Sequence, residues 1–326
     1  DRGLRKYGLS GKSVIPLISG TACAIPAVMA TRNIENWKER LITILVTPFT
    51  TCSARLPVYL ILISLVIPEG KFLGMGYQGL TLMGLYLLGF AMALLSAGIL
   101  NKMLKIQSKT YFVIEMPNYK LPLLKNILIT VFEKTKSFVV EAGRIILAIS
   151  ILLWLMASFG PGKEFNQAEE IIMSRSKVKS FTAEQLENEI ASHKLEHSFI
   201  GILGKTIEPA IAPLGFDWKI GIALISSFAA REVFVGTLAT IYSVGNDQEE
   251  TIKNRMKAER KSDGSLLFDL PTGISLMLFY AFALQCMSTL AIVKKETNGW
   301  KWPMIQLLSM TLIAYLSALI VYQILV

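Results

Sequence analysis

The chain has 326 residues, 52% of them hydrophobic and 17% charged, with a net charge of +9, a pI near 9.3 and a mean hydropathy of +0.49. Soluble domains carry about 25% charged residues, so this composition excludes an ordinary soluble protein. The basic clusters sit between apolar windows without interleaved aromatics, which fits topology signals and lipid headgroups and argues against nucleic acid.

A helix rising about 1.5 Å per residue needs roughly 20 apolar residues to cross the hydrocarbon core. Residues 77–100, 138–158, 270–293 and 303–326 qualify. The implied fold class is an all-α polytopic integral membrane bundle. The chain opens DRGLRKYGLSGKS, without a starting Met or a signal-peptide pattern, and reads as a piece of a longer protein. The GLSGKS string lacks the first glycine of a phosphate-binding loop, since Lys6 stands there, and no strand precedes it. Residues 13–30 are membrane-like but carry Pro16, Gly20 and Pro26, and charged TRNIENWKER comes next. In ILVTPFTTCSARLPVYLILISL (44–65), the apolar runs 41–49 and 56–67 are each about half a span long and flank a polar gap. That pattern predicts a broken or re-entrant helix, because lipid tolerates freed backbone groups only where protein or a water-filled cavity satisfies them.

After the clean span at 77–100 comes an interfacial connection with two X-Pro breaks, then a long helix over 124–158 with Glu141 and Arg144 on one face. Residues 160–197 form a polar insertion, and 198–217, short and proline-punctuated, predicts a re-entrant or interfacial piece. Residues 218–245 are long enough to span but hold SSFAARE at their centre; a polar linker, 246–269, leads to the last helix pair. Segments 13–31 and 218–245 echo each other, and interrupted segments in different halves point to a midplane site in transporters.

The three cysteines, Cys23, Cys52 and Cys286, lie in apolar segments, too few and too scattered for a disulfide framework. A membrane cysteine is usually a small packing residue. Here each stands beside a helix breaker or polar neighbours, which points to a thiol-lined path for a soft or borderline metal. Glu232, with Arg231 beside it, lies mid-membrane, where ionisable residues either line a path or pair with another helix. Arg55 either favours the thiolate of Cys52 or caps carbonyls exposed at the break. HKLEH (193–197) fits the inverted zinc-protease pattern, with His193 and His197 on one helix face and Glu196 as base, but no motif supplies the third ligand a catalytic zinc requires.

At TACAIPAVMATR, TPFTTCSARLPVY, EMPNYKLP, IEPAIAPLGFDWKIG, FAAREVFVGTLATIY and LQCMSTLAIVKKET, the chain resembles the bacterial ferrous iron transport protein B family, nearly end to end. The resemblance implies the membrane region of an Fe²⁺ importer of the bacterial inner membrane, not itself an enzyme. GTP and Mg²⁺ would belong to a G domain outside this chain. It also implies a small cytoplasmic accessory protein and a homo-oligomer as partners, with no nucleic acid. The implied layout is a first Gate motif and a family-specific segment over 1–100, and a second Gate region over 101–245 with its insertion at 160–197. The linker 246–269 and the helix pair 270–326 complete it. The family's motif cysteines fall on Cys23, Cys52 and Cys286 and the acidic residue of its second Gate motif on Glu232, with Met287 a further candidate ligand. Three positions depart from the pattern: Ala22 replaces a glycine, Ala24 an asparagine and Arg231 a lysine. The alternatives are a Gate-type carrier of an organic solute such as a nucleoside, and a membrane zinc protease using residues 193–197.

Overall fold

The computed structural model describes residues 2–68, 70–72, 74–104, 123–176, 190–191, 193–228, 231, 233–241, 256, 260, 266–284 and 286–326. Its main helices are α1 (Val14–Ser19), α2 (Ala24–Ala30), α3 (Trp37–Val46), α4 (Leu56–Val66), α5 (Tyr77–Met103), α6 (Leu124–Ser158), α7 (Phe199–Ile211), α8 (Trp218–Ser227), α9 (Val233–Ile241), α10 (Leu270–Phe282), α11 (Met287–Thr297) and α12 (Lys301–Leu325). A two-residue antiparallel hairpin pairs Lys71 with Gly76 and Phe72 with Met75 ahead of α5. The connection holding EMPNYKLP (115–122), most of the linker 246–269, part of the insertion and Glu232 lie outside the described residues.

Among the described residues, four stretches are long and apolar enough to cross a membrane: Trp37–Val66, Tyr77–Met103, Leu270–Thr297 and Lys301–Leu325. The first joins α3 to α4 and the third α10 to α11, each across an interruption. The two half-length runs around Cys52 are therefore one broken span, as the polar gap predicts. The expected window at 138–158 is an unbroken helix, but its apolar run is Leu147–Ser158; upstream, Glu141 and Arg144 interrupt the hydrophobic sequence. The side chain of Glu141 is outside the described ones. α5 and α12 turn Leu87, Leu95, Ile99, Leu308, Leu312 and Ile320 outward, which suits lipid as solvent.

The chain divides into two compact units. Unit 1 comprises residues 1–52, 90–148 and 288–304, and unit 2 comprises 53–89, 149–287 and 305–326. Two of the boundaries fall on the two helix interruptions, after Cys52 and after Met287.

In unit 1, α1 and α2 form a short hairpin. Lys12 before it and Glu35 after it meet at 2.9 Å, so the chain returns to where it entered. The hairpin packs on α3 through Leu17 with Ile42 and Val46, and through Ile25 and Val28 with Ile44; α11 joins that second cluster with Ile292 and Val293. Asn36 starts α3 by accepting from the Lys38 N–H at 3.0 Å, satisfying one of the orphan donors of a helix N-terminus.

Unit 2 carries the larger core, in which Val58 and Leu62 of α4, Phe234 and Leu238 of α9, and Leu276 and Tyr280 of α10 are buried together. α4 is apolar on all sides, as a helix buried in a membrane bundle should be. Asp217 and Asp269 cap α8 and α10, each accepting a backbone N–H at 2.9 Å. The stretch from Phe199 to Leu214 meets α8 at a bend of 105°. Gly215 turns this corner at φ +83°, where a side chain would run into Tyr322. Residues 218–241, long enough to span if straight, form a hairpin instead. Ile222 of α8 and Ile241 of α9 share one core cluster with Ile200, and Ser226, Val233 and Thr237 line one cavity of about 260 Å³ with Ile222.

Candidate functional site

Each predicted thiol lies where a helix is interrupted. Cys23 closes the tip of the α1–α2 hairpin and immediately precedes α2, with extended backbone (φ −154°, ψ 135°). Cys52 lies between single 3₁₀ turns at Thr47–Phe49 and Ser53–Arg55, in the gap of the first broken span. Cys286 directly precedes α11, and Met287, the first residue of that helix, is 40% exposed. All three cysteines are half-buried thiols, outside any disulfide. Glu232 lies outside the described residues.

Backbone contacts fix these interruptions. In unit 1 the hairpin tip rests on the break: a Cβ on Gly20 would stand 2.6 Å from Thr50 Oγ1 and 3.1 Å from Thr47 Cγ2. The threonines satisfy part of the broken backbone themselves, Thr47 Oγ1 donating to the Thr43 carbonyl at 2.6 Å and Thr50 Oγ1 to that of Thr47 at 2.7 Å. In unit 2 the hairpin tip meets the α10–α11 break. Arg231 Nη2 donates to the Ala283 carbonyl at 3.2 Å, and the Met287 N–H donates to the Phe228 carbonyl at 3.2 Å. Phe234 and Tyr280 pack edge to face behind this junction at 4.8 Å. Unit 2 thus joins the flanks of Glu232 to the segment carrying Cys286 and Met287, while unit 1 holds Cys23 and Cys52. Cys23 packs beside Ile25, Val28, Ile44, Ile292 and Val293. Arg55 is fully buried at the start of α4. Among the described residues no group of three or more His, Cys, Asp or Glu side chains is placed to hold a metal ion as a cage.

The HKLEH segment is built for a different purpose. His193 and His197 do share a face, with rings stacked at 4.4 Å. His197 turns Nε2 to Glu164 at 2.8 Å and Nδ1 to the His193 carbonyl at 3.0 Å. Glu196, the supposed base, is bound to Lys205 at 2.9 Å. Burial pulls its carboxyl upward, but the hydrogen bond and charge of Lys205, with the two histidines, hold it below the usual carboxylate range. With Glu196 engaged and no third ligand among the described residues, the protease reading loses its support.

An ion triad around a buried carboxylate is not legible in the sequence. Glu296, at the end of α11, has a side chain only 3% exposed. It accepts from Arg32 Nε at 2.9 Å and Nη2 at 2.5 Å, and from Arg40 Nη2 at 2.7 Å. The triad ties the exit of the α1–α2 hairpin, the start of α3 and the end of α11 together within unit 1. TRNIENWKER by itself reads as a charged connection; the signal available was a lone glutamate closing an apolar helix.

Helical hairpins seated on interrupted apolar helices define a polytopic membrane protein of broken helices, the architecture in which membrane transporters place their sites. Sequence comparison supplies the family. The Gate family, described as "Nucleoside recognition", matches residues 1–65 and 139–300, and the family described as "Ferrous iron transport protein B C terminus" matches residues 82–134. An Fe(2+) transporter FeoB of Leptospira interrogans serovar Lai is 43% identical over 99% of this chain and 44% of its own length. A counterpart from Methanocaldococcus jannaschii is 32% identical over 98% of this chain and 42% of its own. A Porphyromonas gingivalis protein named as a fusion of Fe(2+) transport protein A with Fe(2+) transporter FeoB is 34% identical over 99% and 39%. The chain belongs to the ferrous iron transport protein B family, whose membrane region it carries. It spans less than half the length of these relatives. No solved structure matches it.

Proposed function

We propose that this chain forms the Fe²⁺ permeation region of a ferrous iron importer in the bacterial inner membrane, with Cys23, Cys52, Cys286, Glu232 and Met287 contacting the ion in succession. The observation that carries this is the placement of the thiols, Cys52 and Cys286 at the interruptions of two apolar spans and Cys23 at the tip of the α1–α2 hairpin. An interruption is expensive inside lipid, yet it exposes carbonyls and side chains where a partly dehydrated cation needs replacements for water. Thiolate and thioether ligands suit a borderline ion better than hard Ca²⁺ or Mg²⁺. Conduction requires sites tight enough to admit the ion and weak enough to release it, which separated ligands satisfy better than one closed cage.

Control by GTP with Mg²⁺ in a G domain beyond this chain, assembly as a homo-oligomer, and a small cytoplasmic partner complete the proposal. The fusion of transport protein A to a relative favours that partner. The names of the relatives favour iron over an organic solute. Anaerobic Fe²⁺ entry into liposomes, read by a trapped ferrous chelator, tests the path. Flux should vanish when Cys23, Cys52 and Cys286 are all replaced by serine; undiminished flux in that variant would end the thiol path.

A further inference from the structure

Two hydroxyls in unit 1, Thr51 Oγ1 and Ser288 Oγ, are buried without a hydrogen-bond partner among the described residues. Their residues are 0% and 2% exposed. Leaving a buried hydroxyl unpaired forfeits more free energy than a typical hydrogen bond contributes, and each such atom in a native protein calls for an explanation. The nearby threonines show the ordinary solution. Thr43, Thr47 and Thr50 turn their hydroxyls onto the carbonyls of Glu39, Thr43 and Thr47 at 2.7, 2.6 and 2.7 Å.

The two unpaired hydroxyls share one end of unit 1. Arg40 pairs with Glu296 at 2.7 Å, and Ile44 packs in one cluster with Ile292 and Val293, so α3 and α11 run antiparallel. From that salt bridge α3 leads inward to the break holding Thr51, and α11 leads back to Ser288. Thr51 adjoins Cys52 in sequence and Ser288 adjoins Met287, so both hydroxyls stand beside proposed ligands.

We infer that Thr51 and Ser288 present their hydroxyl oxygens to the hydrated ion, as further binding residues of the ferrous path; the inference rests on the reading of that path. A hydroxyl both donates and accepts, so it can bond a water that the ion retains or replace one. Oxygen interleaved with sulfur suits a borderline divalent ion, whereas thiols by themselves favour softer metals.

The test uses Thr51→Val, Ser288→Ala and the double variant, with Thr31→Val as a control at a buried threonine away from the break, whose hydroxyl already donates to the Val28 carbonyl at 2.6 Å. Anaerobic entry of Fe²⁺ and of Zn²⁺ into liposomes is measured for each, together with thermal unfolding. Each test substitution should lower Fe²⁺ flux about fivefold, the equivalent of one hydrogen bond, and lower Zn²⁺ flux less. Unfolding temperature should hold or rise, because an unpaired buried polar group has been removed. A loss of flux matched by a loss of stability, or by Thr31→Val, would overturn the inference. So would wild-type Fe²⁺ flux in the double variant while the triple cysteine variant is inactive, an outcome that leaves the thiol path standing. Undiminished flux in the triple cysteine variant would overturn the path and this inference together.

Discussion

The two units follow one plan with different chemistry. Each sets a helical hairpin against the first half of a broken span, and each is completed by the second half of the other broken span. In unit 1 these parts are α1–α2, α3 and α11; in unit 2 they are α8–α9, α10 and α4. The unit 1 junction is neutral, a glycine pressed onto threonines, and its charge is placed at the far end, where Arg32 and Arg40 enclose Glu296. In unit 2 the cation Arg231 sits in the junction itself and bonds a carbonyl that the break leaves exposed. The difference teaches that a helix break at membrane depth needs satisfied carbonyls, by whatever donor is to hand. Hydroxyls do this in unit 1 and a cation in unit 2.

Substitutions can break that comparison or sharpen it. The largest effect belongs to Glu296→Ala, which removes the carboxylate shared by two partly exposed arginines; hydrogen bonds to a charged group contribute about 1.5–3 kcal/mol each, so the loss should be about 3 kcal/mol. Thermal unfolding should show the loss, with Glu296→Gln intermediate. If Glu296→Ala melts like wild type, the triad does not hold unit 1 together. At the junctions, Arg231→Gln should cost about 1–3 kcal/mol by leaving the Ala283 carbonyl poorly satisfied. Gly20→Ala should cost about the same by forcing a methyl against Thr50. Fe²⁺ flux should fall in both, and a fall in one variant but not the other would show that the two junctions are not functionally equivalent.

The smallest effect lies at the pair of Glu196, in the polar insertion, with Lys205 of α7. Glu196 has its carboxyl held low, so the stability it contributes is present above the ordinary carboxylate range and lost as pH falls through the depressed value. Lys205→Met should therefore flatten the change in unfolding temperature between neutral and acid pH. The pair is partly exposed, so the effect should stay within about 1 kcal/mol. An unchanged pH dependence would show that Lys205 is not the cause.

Much of the fold was legible because lipid imposes simple rules on a chain. Long apolar runs had to be spans, and the prolines and threonines around Cys52 had to interrupt one, since no straight helix would place Arg55 in hydrocarbon without a partner. Residues 218–241 were ambiguous, because length and hydropathy are the same for a helix that crosses and for one that folds back. The packing of Ile241 beside Ile222 and Ile200 decided for the hairpin. The thiols were legible as chemistry in a polar gap, but their companions were not. Thr51 reads like any threonine until its burial and its satisfied neighbours are seen together. Glu296 likewise reads as a helix-end charge until two arginines, more than 250 residues earlier in the chain, close on it. Sequence determined the solvent, three of the four expected spans, the family and where the thiols stand in the chain, because each depends on local composition or on a contiguous motif. The hairpins, the triad around buried Glu296 and the unpaired hydroxyls were decided by tertiary structure, because each depends on which distant residues arrive at the same place.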